Sequence, residues 1–328
     1  MIVAEGLTKI YGGTPVVQDL DLDVKAGEIV ALVGTSGCGK STTLKMINRL
    51  VEPSAGRVLI DGVDTASLDP EKLRLGIGYA IQGAGLFPHW TVAQNIATVP
   101  KLLGWNRGRI AQRVEELLDL LNLDPAVFAG KLPHQLSGGQ QQRVGVARAI
   151  AAKPAVLLMD EPFGALDPLT RLRLQDEFLS LQKRHGMTVL MVTHDMDEAF
   201  KMAGRVAVMD KGQILQFDTP DGLVRRPAHS FVRELVGTQD SGLRLLSLQT
   251  ARELATPPSA RWEIAEAVVR DQARGAAVEP VGAEESGREA ASKLLWQDAD
   301  ILPVVERDGT VIGEIDFGVL RRAGRGEG

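Results

Sequence analysis

Residues 2–33 alternate apolar and polar positions, with turn signals at Tyr11-Gly12-Gly13-Thr14 and Lys25-Ala26-Gly27-Glu28. A period of two predicts half-buried strands, here two or three antiparallel ones. They lead into Ile29-Val30-Ala31-Leu32-Val33, an uninterrupted apolar run that reads as a buried strand. The pattern then predicts a helix over 40–50 and short strands near 56–61 and 76–81. From 92 to 151 it turns helical: Val114, Leu117, Leu118 and Leu121 recur at the spacing of one helix face. Ser137 precedes Gly138-Gly139 and a helix-like run through Ile150. Three more apolar runs, 155–159, 188–192 and 206–209, suit parallel strands covered on both faces. The expected class is α/β, with an antiparallel β flank and a helical insertion.

The pattern changes near residue 238. Thr256-Pro257-Pro258-Ser259 punctuates the region that follows, and 271–292 is rich in Ala, Gly and Glu. A last compact piece reads as strand–turn–strand: Ile301-Leu302-Pro303-Val304-Val305, Asp308-Gly309, then Val311-Ile312-Gly313-Glu314-Ile315. The 328 residues suffice for about two domains. With 44% apolar and 24% charged residues the composition is globular. A net charge of −5 argues against a general nucleic-acid binder, which carries a basic footprint. The single cysteine excludes an internal disulfide and fits a reducing compartment. The first residues lack the basic and apolar regions of a secretory signal. No apolar run approaches the ~18 residues of a membrane span. The expectation is a soluble protein, or one held at a membrane by a partner.

The chemistry begins at Gly34-Thr35-Ser36-Gly37-Cys38-Gly39-Lys40-Ser41-Thr42, which fits G-x-x-x-x-G-K-[ST] between a predicted strand and a predicted helix. Glycines let successive backbone N–H groups turn inward on phosphates, and the helix N-terminus adds its positive dipole end. Lys40 would reach the β- and γ-phosphates of a nucleotide, and the Ser41 hydroxyl would hold Mg²⁺. Cys38 reads as a small filler with an alkylatable thiol. Such a site also needs a carboxylate for the metal and a group that activates water. The run 155–159 delivers Asp160 and Glu161 at its C-terminal end, where open α/β sheets place ligands. Asp160 suits the metal, directly or through water, and Glu161 suits polarising the attacking water.

Further segments carry a family resemblance. Leu136-Ser137-Gly138-Gly139-Gln140-Gln141-Gln142-Arg143 resembles the signature motif of ATP-binding-cassette (ABC) ATPases. Asp160-Glu161-Pro162-Phe163-Gly164-Ala165-Leu166-Asp167 resembles the end of their Walker B strand and D-loop. Thr193-His194-Asp195 resembles the switch-histidine segment, and Gln82, after Ile77-Gly78-Tyr79-Ala80-Ile81, resembles the Q-loop glutamine. These motifs stand in the family's order over residues 1–237, with a helical subdomain at about 84–151. The resemblance implies a P-loop NTPase ABC cassette with a RecA-like core. It implies catalytic roles for Lys40, Gln82, Glu161 and His194. Nucleotide contacts would come from residues 34–42, with Tyr11, Ser137, Gly138, Gly139, Gln140 and Asp167. Mg²⁺ would lie on Ser41, Gln82 and Asp160. Tyr11 fits adenine stacking and fits equally a hairpin aromatic that packs locally. In this family two cassettes sandwich two ATPs, so Ser137 and its glycines would complete the site of a second copy.

Aromatics and prolines follow Gln82, in Gly85-Leu86-Phe87-Pro88-His89-Trp90-Thr91-Val92 and Val99-Pro100-Lys101-Leu102-Leu103-Gly104-Trp105. They suit a partner surface. In the family this region accepts a coupling helix from a transmembrane permease, which would place the chain peripherally on the cytoplasmic face of the membrane. Leu44-Lys45-Met46-Ile47-Asn48-Arg49-Leu50 and 99–102 are most similar to the quaternary-amine branch, which takes up glycine betaine, choline, carnitine or proline betaine. A substrate-binding protein would act indirectly through the permease. Residues 238–328 are expected to form a small α+β regulatory or dimerisation tail. Within it, 288–322 resembles one cystathionine-β-synthase-type (CBS) repeat, and 243–275 at best a degenerate second. Nucleotide binding, ionic-strength sensing and plain dimer stabilisation all remain open for this tail. The rival functions are an importer for another small polar solute, such as an amino acid or sulfonate, and a soluble ABC ATPase of DNA repair or translation.

Overall fold

A computed structural model describes residues 1–83, 85–237, 241–257 and 279–326. They form two compact units, Met1–Thr219 and Pro220–Gly328. The first unit holds ten strands: β1 (Ile2–Tyr11), β2 (Thr14–Val24), β3 (Ile29–Gly34), β4 (Ala55–Ile60), β5 (Val63–Asp64), β6 (Ile77–Ala80), β7 (Val156–Asp160), β8 (Thr188–Val192), β9 (Arg205–Asp210) and β10 (Gln213–Asp218).

These strands make two sheets. The antiparallel flank runs in the order β2-β1-β4-β5, and the larger sheet in the order β10-β9-β3-β8-β7-β6. In the larger sheet β9, β3, β8, β7 and β6 are parallel, and β10 closes the edge antiparallel. Strands β3, β7 and β8 are buried at every position, as their unbroken apolar runs require. The mixed α/β class with an antiparallel flank therefore forms as expected.

Two strands escape the sequence pattern. β5 is only two residues long. β10 follows β9 through a tight hairpin whose turn residues Lys211 and Gly212 have φ of 45° and 83°, as a two-residue primed turn demands. The helix predicted over 40–50 is Lys40–Ile47. It stops early because Arg49 turns left-handed at φ 47°. The Leu50 amide then donates back to the Lys45 carbonyl at 2.8 Å, closing the helix end. The helical insertion contains helices Val92–Ile96, Thr98–Leu102, Arg107–Leu120, Pro125–Phe128 and Gly138–Ile150.

One core joins the two sheets of this unit. Leu7, Leu20 and Val24 from the flank meet Leu32, Leu158 and Leu190 from the larger sheet. Leu44, Met46 and Ile47 of the helix after the phosphate loop enter the same cluster, each fully buried. Burial of such side chains contributes about 1.5–3 kcal/mol apiece. The helix is therefore anchored by its apolar face, and its first turn is held at the end of β3.

The second unit carries a three-stranded sheet, β11 (Val281–Gly282), β12 (Ile301–Val305) and β13 (Val311–Asp316), in that order. Its own core gathers Leu246, Leu254, Leu294, Leu302, Ile315 and Leu320. The expected degenerate repeat falls partly on 258–275, outside the described residues, as does part of 271–292.

Gly39 is the residue on which the helix Lys40–Ile47 starts. Its φ is 107°, and a Cβ there would stand 2.7 Å from the Val16 carbonyl oxygen. Gly39→Ala is expected to cost about 1–3 kcal/mol through backbone strain, and more if the β2 backbone cannot shift. Chemical denaturation of the two proteins measures the difference. Equal stability would mean that the loop is not held as described.

Candidate active site

Strand order brings the predicted chemistry to the C-terminal ends of three adjacent strands. β3 ends in the phosphate loop, β7 ends at Asp160, and β8 lies between them and leads into Thr193 and His194. Lys40 is buried, and its Nζ donates to the carbonyls of Gly34 and Thr35, both at 2.8 Å. Nζ also lies 3.6 Å from the Cys38 sulfur, so the buried thiol lines the loop beside the ammonium. These partners are neutral or weak acceptors. The arrangement buries a positive charge among neutral acceptors of the loop, a setting that favours an anion.

Ser41 Oγ donates to Asp160 Oδ1 at 3.0 Å, across 119 residues of sequence. Asp160 is buried at the tip of β7. Burial pushes its carboxyl above the ordinary aspartate range, against the lowering effect of the Ser41 hydrogen bond. The same desolvation, with the Asp160 charge, pushes the Tyr79 phenol up to about 12. Ser41 and Asp160 therefore present two hard oxygens, one of them a carboxylate on which the Lys40 and Lys45 charges also act. Among the described residues no cluster of three His, Cys, Asp or Glu side chains could cage a metal. Mg²⁺ suits such a place, since it takes one or two protein oxygens and keeps the rest for phosphates and water.

Glu161 is a junction. Its φ is 49°, in the left-handed region that side chains rarely adopt. Its amide donates to the Val192 carbonyl at 2.9 Å. Its Oε2 accepts from Gln82 Nε2 at 3.0 Å, and His194 Nδ1 lies 3.3 Å from its Oε1. Gln82, Glu161 and His194, read separately from the sequence, thus meet at one carboxylate. Gln82 bonds Glu161 in this structure, so a place on the metal would require it to change partner.

The remaining expected residues sit on separate elements. Ser137 caps the helix Gly138–Ile150 in a capping box: its Oγ accepts from the Gln140 amide at 3.3 Å, and Gln140 Oε1 accepts from the Ser137 amide at 2.9 Å. The Gln140 side chain thus turns back on Ser137, while Gly138 and Gly139 form the first turn. Asp167 caps the helix Pro168–His185 by accepting from the Thr170 amide at 3.0 Å, and this bond holds its carboxyl low. Tyr11 is half exposed at the β1–β2 hairpin, with Lys9 Nζ 5.0 Å from its ring centroid.

Three supporting groups were not among the expected site residues. Arg171 joins the turn before its own helix to the histidine segment: it donates to the Leu166 carbonyl and to Asp195 Oδ2, both at 3.2 Å. Glu198 is buried and its carboxyl is pushed up by desolvation; Thr193 Oγ1 and Gln175 Nε2 both donate to it. Gln142, nearly buried, donates to the Glu161 carbonyl at 2.6 Å. The sequence held a signal for Gln142. It shares a helix face with Val146 and Ile150, so it is a polar group on an apolar stripe and needs internal partners.

Residues 17–164 match the ABC transporter family model. The chain is 46% identical over 317 residues to the glycine betaine uptake system ATP-binding protein YehX of Escherichia coli (strain K12), covering 97% of this chain and 98% of that one. The chain belongs to the ABC transporter ATP-binding family. The osmoprotectant import ATP-binding protein OsmV of Salmonella typhimurium is 42% identical, over 96% of this chain and 94% of its own. Among solved structures, a dimeric ATP-binding cassette in a post-hydrolysis state bound to ADP and Pi superposes with a TM-score of 0.62 at 34% identity. It covers 67% of this chain and 98% of its own. The ABC cassette fold and the ATPase class expected from the motifs both hold.

Asp160→Asn separates a metal ligand from a structural carboxylate. The folded-state pKa is raised, so the charge of Asp160 costs stability above that pKa and the cost vanishes as pH falls. In nucleotide-free protein at pH 7, Asp160→Asn is expected to melt at the same or a higher temperature than wild type. The gain should shrink toward acid pH. The stabilisation of wild type by Mg²⁺ with ATP should be lost in the variant. A variant that melts lower at pH 7 and keeps its response to Mg²⁺ would contradict the assignment.

Proposed function

We propose that this chain is the ATP-hydrolysing subunit of an importer for quaternary-amine osmoprotectants such as glycine betaine or choline. The observation that carries hydrolysis is the convergence of Gln82 and His194 on Glu161, beside the Ser41–Asp160 pair. The solute class is supported by relatives named for glycine betaine and osmoprotectant import that align over nearly the whole chain, second unit included.

In this reading the loop amides and Lys40 hold the β- and γ-phosphates. Mg²⁺, when bound on Ser41 and Asp160, supplies charge neutralisation at the phosphate oxygens. Glu161 takes the proton of the attacking water, and His194 fixes the orientation of that carboxylate. Tyr11 stacks adenine on the ring face away from Lys9. A second copy closes over the nucleotide with Ser137, Gly138 and Gly139, and Asp167 lies at the seam between copies. The dimeric state of the related cassette supports this arrangement.

The permease would dock on the helical insertion, which would keep the chain on the cytoplasmic face. Among the described residues no helix is long and apolar enough to cross a membrane, so attachment through a partner fits. Phe87, Trp90, Leu102 and Leu103 are exposed. The buried Asn95 fixes the loop beneath them: its amide donates to the Phe87 and Trp90 carbonyls at 3.2 and 3.1 Å, and its carbonyl accepts from the Phe87 amide at 2.8 Å. A groove of about 720 Å³ in the same insertion is lined by apolar Ala93, Ala97, Ile110 and Val114 and by charged Lys101 and Glu115 among others. Arg148 Nη1 donates to the Gly85 carbonyl at 2.9 Å, tying the helix Gly138–Ile150 to the segment between Gln82 and this surface. Residues 238–328 would serve as the regulatory or dimer-stabilising tail.

Glu161→Gln is expected to bind ATP and form a stable ATP-bound dimer, with turnover lowered by at least about a hundredfold. Lys40→Ala should lose most activity through weak binding. Phosphate-release kinetics with gel filtration read both effects. Wild-type turnover in Glu161→Gln would remove it as the base. For the solute, the ATPase reconstituted with its co-purified permease and binding protein should take up betaine or choline. Uptake of an amino acid or sulfonate instead would overturn the solute class.

A further inference from the structure

We propose that Gln142 is a positioning residue for Glu161, holding its backbone to the helix that begins at the signature serine. The inference rests on the reading of Glu161 as the group that activates water. Glu161 leaves β7 in the left-handed region, at φ 49°. Its carbonyl lies just past Asp160, the last ladder residue of β7. There the carbonyl accepts from Gln142 Nε2 at 2.6 Å, with the Gly164 amide a longer contact at 3.3 Å. The other end of the same side chain is also used: Gln142 Oε1 accepts from the Ala165 amide at 2.9 Å. One nearly buried amide therefore spans the turn 161–165, bonded to the Glu161 carbonyl at one end and the Ala165 amide at the other.

The direction of a carboxylate follows the backbone that carries it. Glu161 is tethered through its amide to β8, through its carboxylate to Gln82 and His194, and through its carbonyl to Gln142. Only the last tether comes from the helix Gly138–Ile150, whose N-cap is Ser137. A shift of that helix, as a second copy engages Ser137, would move Gln142 and with it the Glu161 backbone. The signature of one copy would thus help set the hydrolytic geometry of its own site, besides closing the site of its partner.

Two substitutions test this in the full chain. Gln142→Glu keeps the shape and, as a carboxylate, an acceptor for Ala165 with no donor for the Glu161 carbonyl; a rate measured across pH separates this form from the protonated acid, which restores a donor. Gln142→Leu removes both bonds. Each is combined with Glu161→Gln in a double-mutant cycle, and hydrolysis of radiolabelled ATP is measured in single turnovers, normalised to ATP bound per chain. In the wild-type background kcat should fall about ten- to a hundredfold, the scale of an ångström-size misplacement. KM for ATP should stay within about threefold, since nucleotide binding does not use Gln142. In the Glu161→Gln background neither substitution should lower the residual rate further.

Wild-type kcat in both Gln142 variants overturns the proposal. So does an equal loss in both backgrounds, because a purely structural effect is additive. If neither variant binds one ATP per chain, Gln142 supports the fold and not Glu161, and the proposal also falls. A wild-type chain that binds ATP without turnover would instead defeat the hydrolytic reading of the site, a result distinct from these.

Discussion

Two opposite charges, Lys40 and Asp160, are buried at the C-terminal ends of the parallel strands, near enough to act on one another. Lys40 places its ammonium on two carbonyl oxygens, and Asp160 sits buried with a raised pKa and one hydroxyl donor. Burying such groups costs free energy unless they are paired. The fold supplies that cost through apolar burial elsewhere: Leu44, Met46 and Ile47 anchor the helix that carries Lys40, and the fully buried β7 carries Asp160. In the proposed reading Mg²⁺ with ATP would meet both charges at once, phosphate for the ammonium and cation for the carboxylate.

The rest of the site is arranged around this pair by strand order. Because β8 lies between β3 and β7, the segment after β8 emerges beside both the phosphate loop and Glu161. Thr193 and Glu198 hold the base of that segment, and Arg171 links it to the turn at Leu166. Glu161 then collects contacts from the Gln82 segment, the His194 segment and the signature helix. Each of these elements would meet a different partner: permease, nucleotide or second cassette. A single carboxylate with a strained backbone is well placed to require all three before it acts.

Much of this was legible in the sequence, for local reasons. The phosphate loop declares itself because its glycines, lysine and serine are contiguous, and the buried strands declare themselves by unbroken apolar runs. Gln82, Glu161 and His194 could be named from motif order, but their meeting point could not, since it depends on which strands pair. The end of the first helix at Ile47 was missed because a left-handed arginine at 49 has no strong sequence mark. β5 is too short to show a period, and β10 hides behind a turn. Gln142 stood within the quoted signature run, yet its role appears only when the turn 161–165 is seen folded against it.

The decisive measurement is the thermal melting of wild-type protein with Mg²⁺ alone, with ATP and a chelator, and with Mg²⁺ and ATP together. If the buried charges of Lys40 and Asp160 define the site, the combined ligands should raise the melting temperature well beyond the sum of the separate effects. Shifts that simply add, or no shift with the combined ligands, would contradict the central place given to that charge pair.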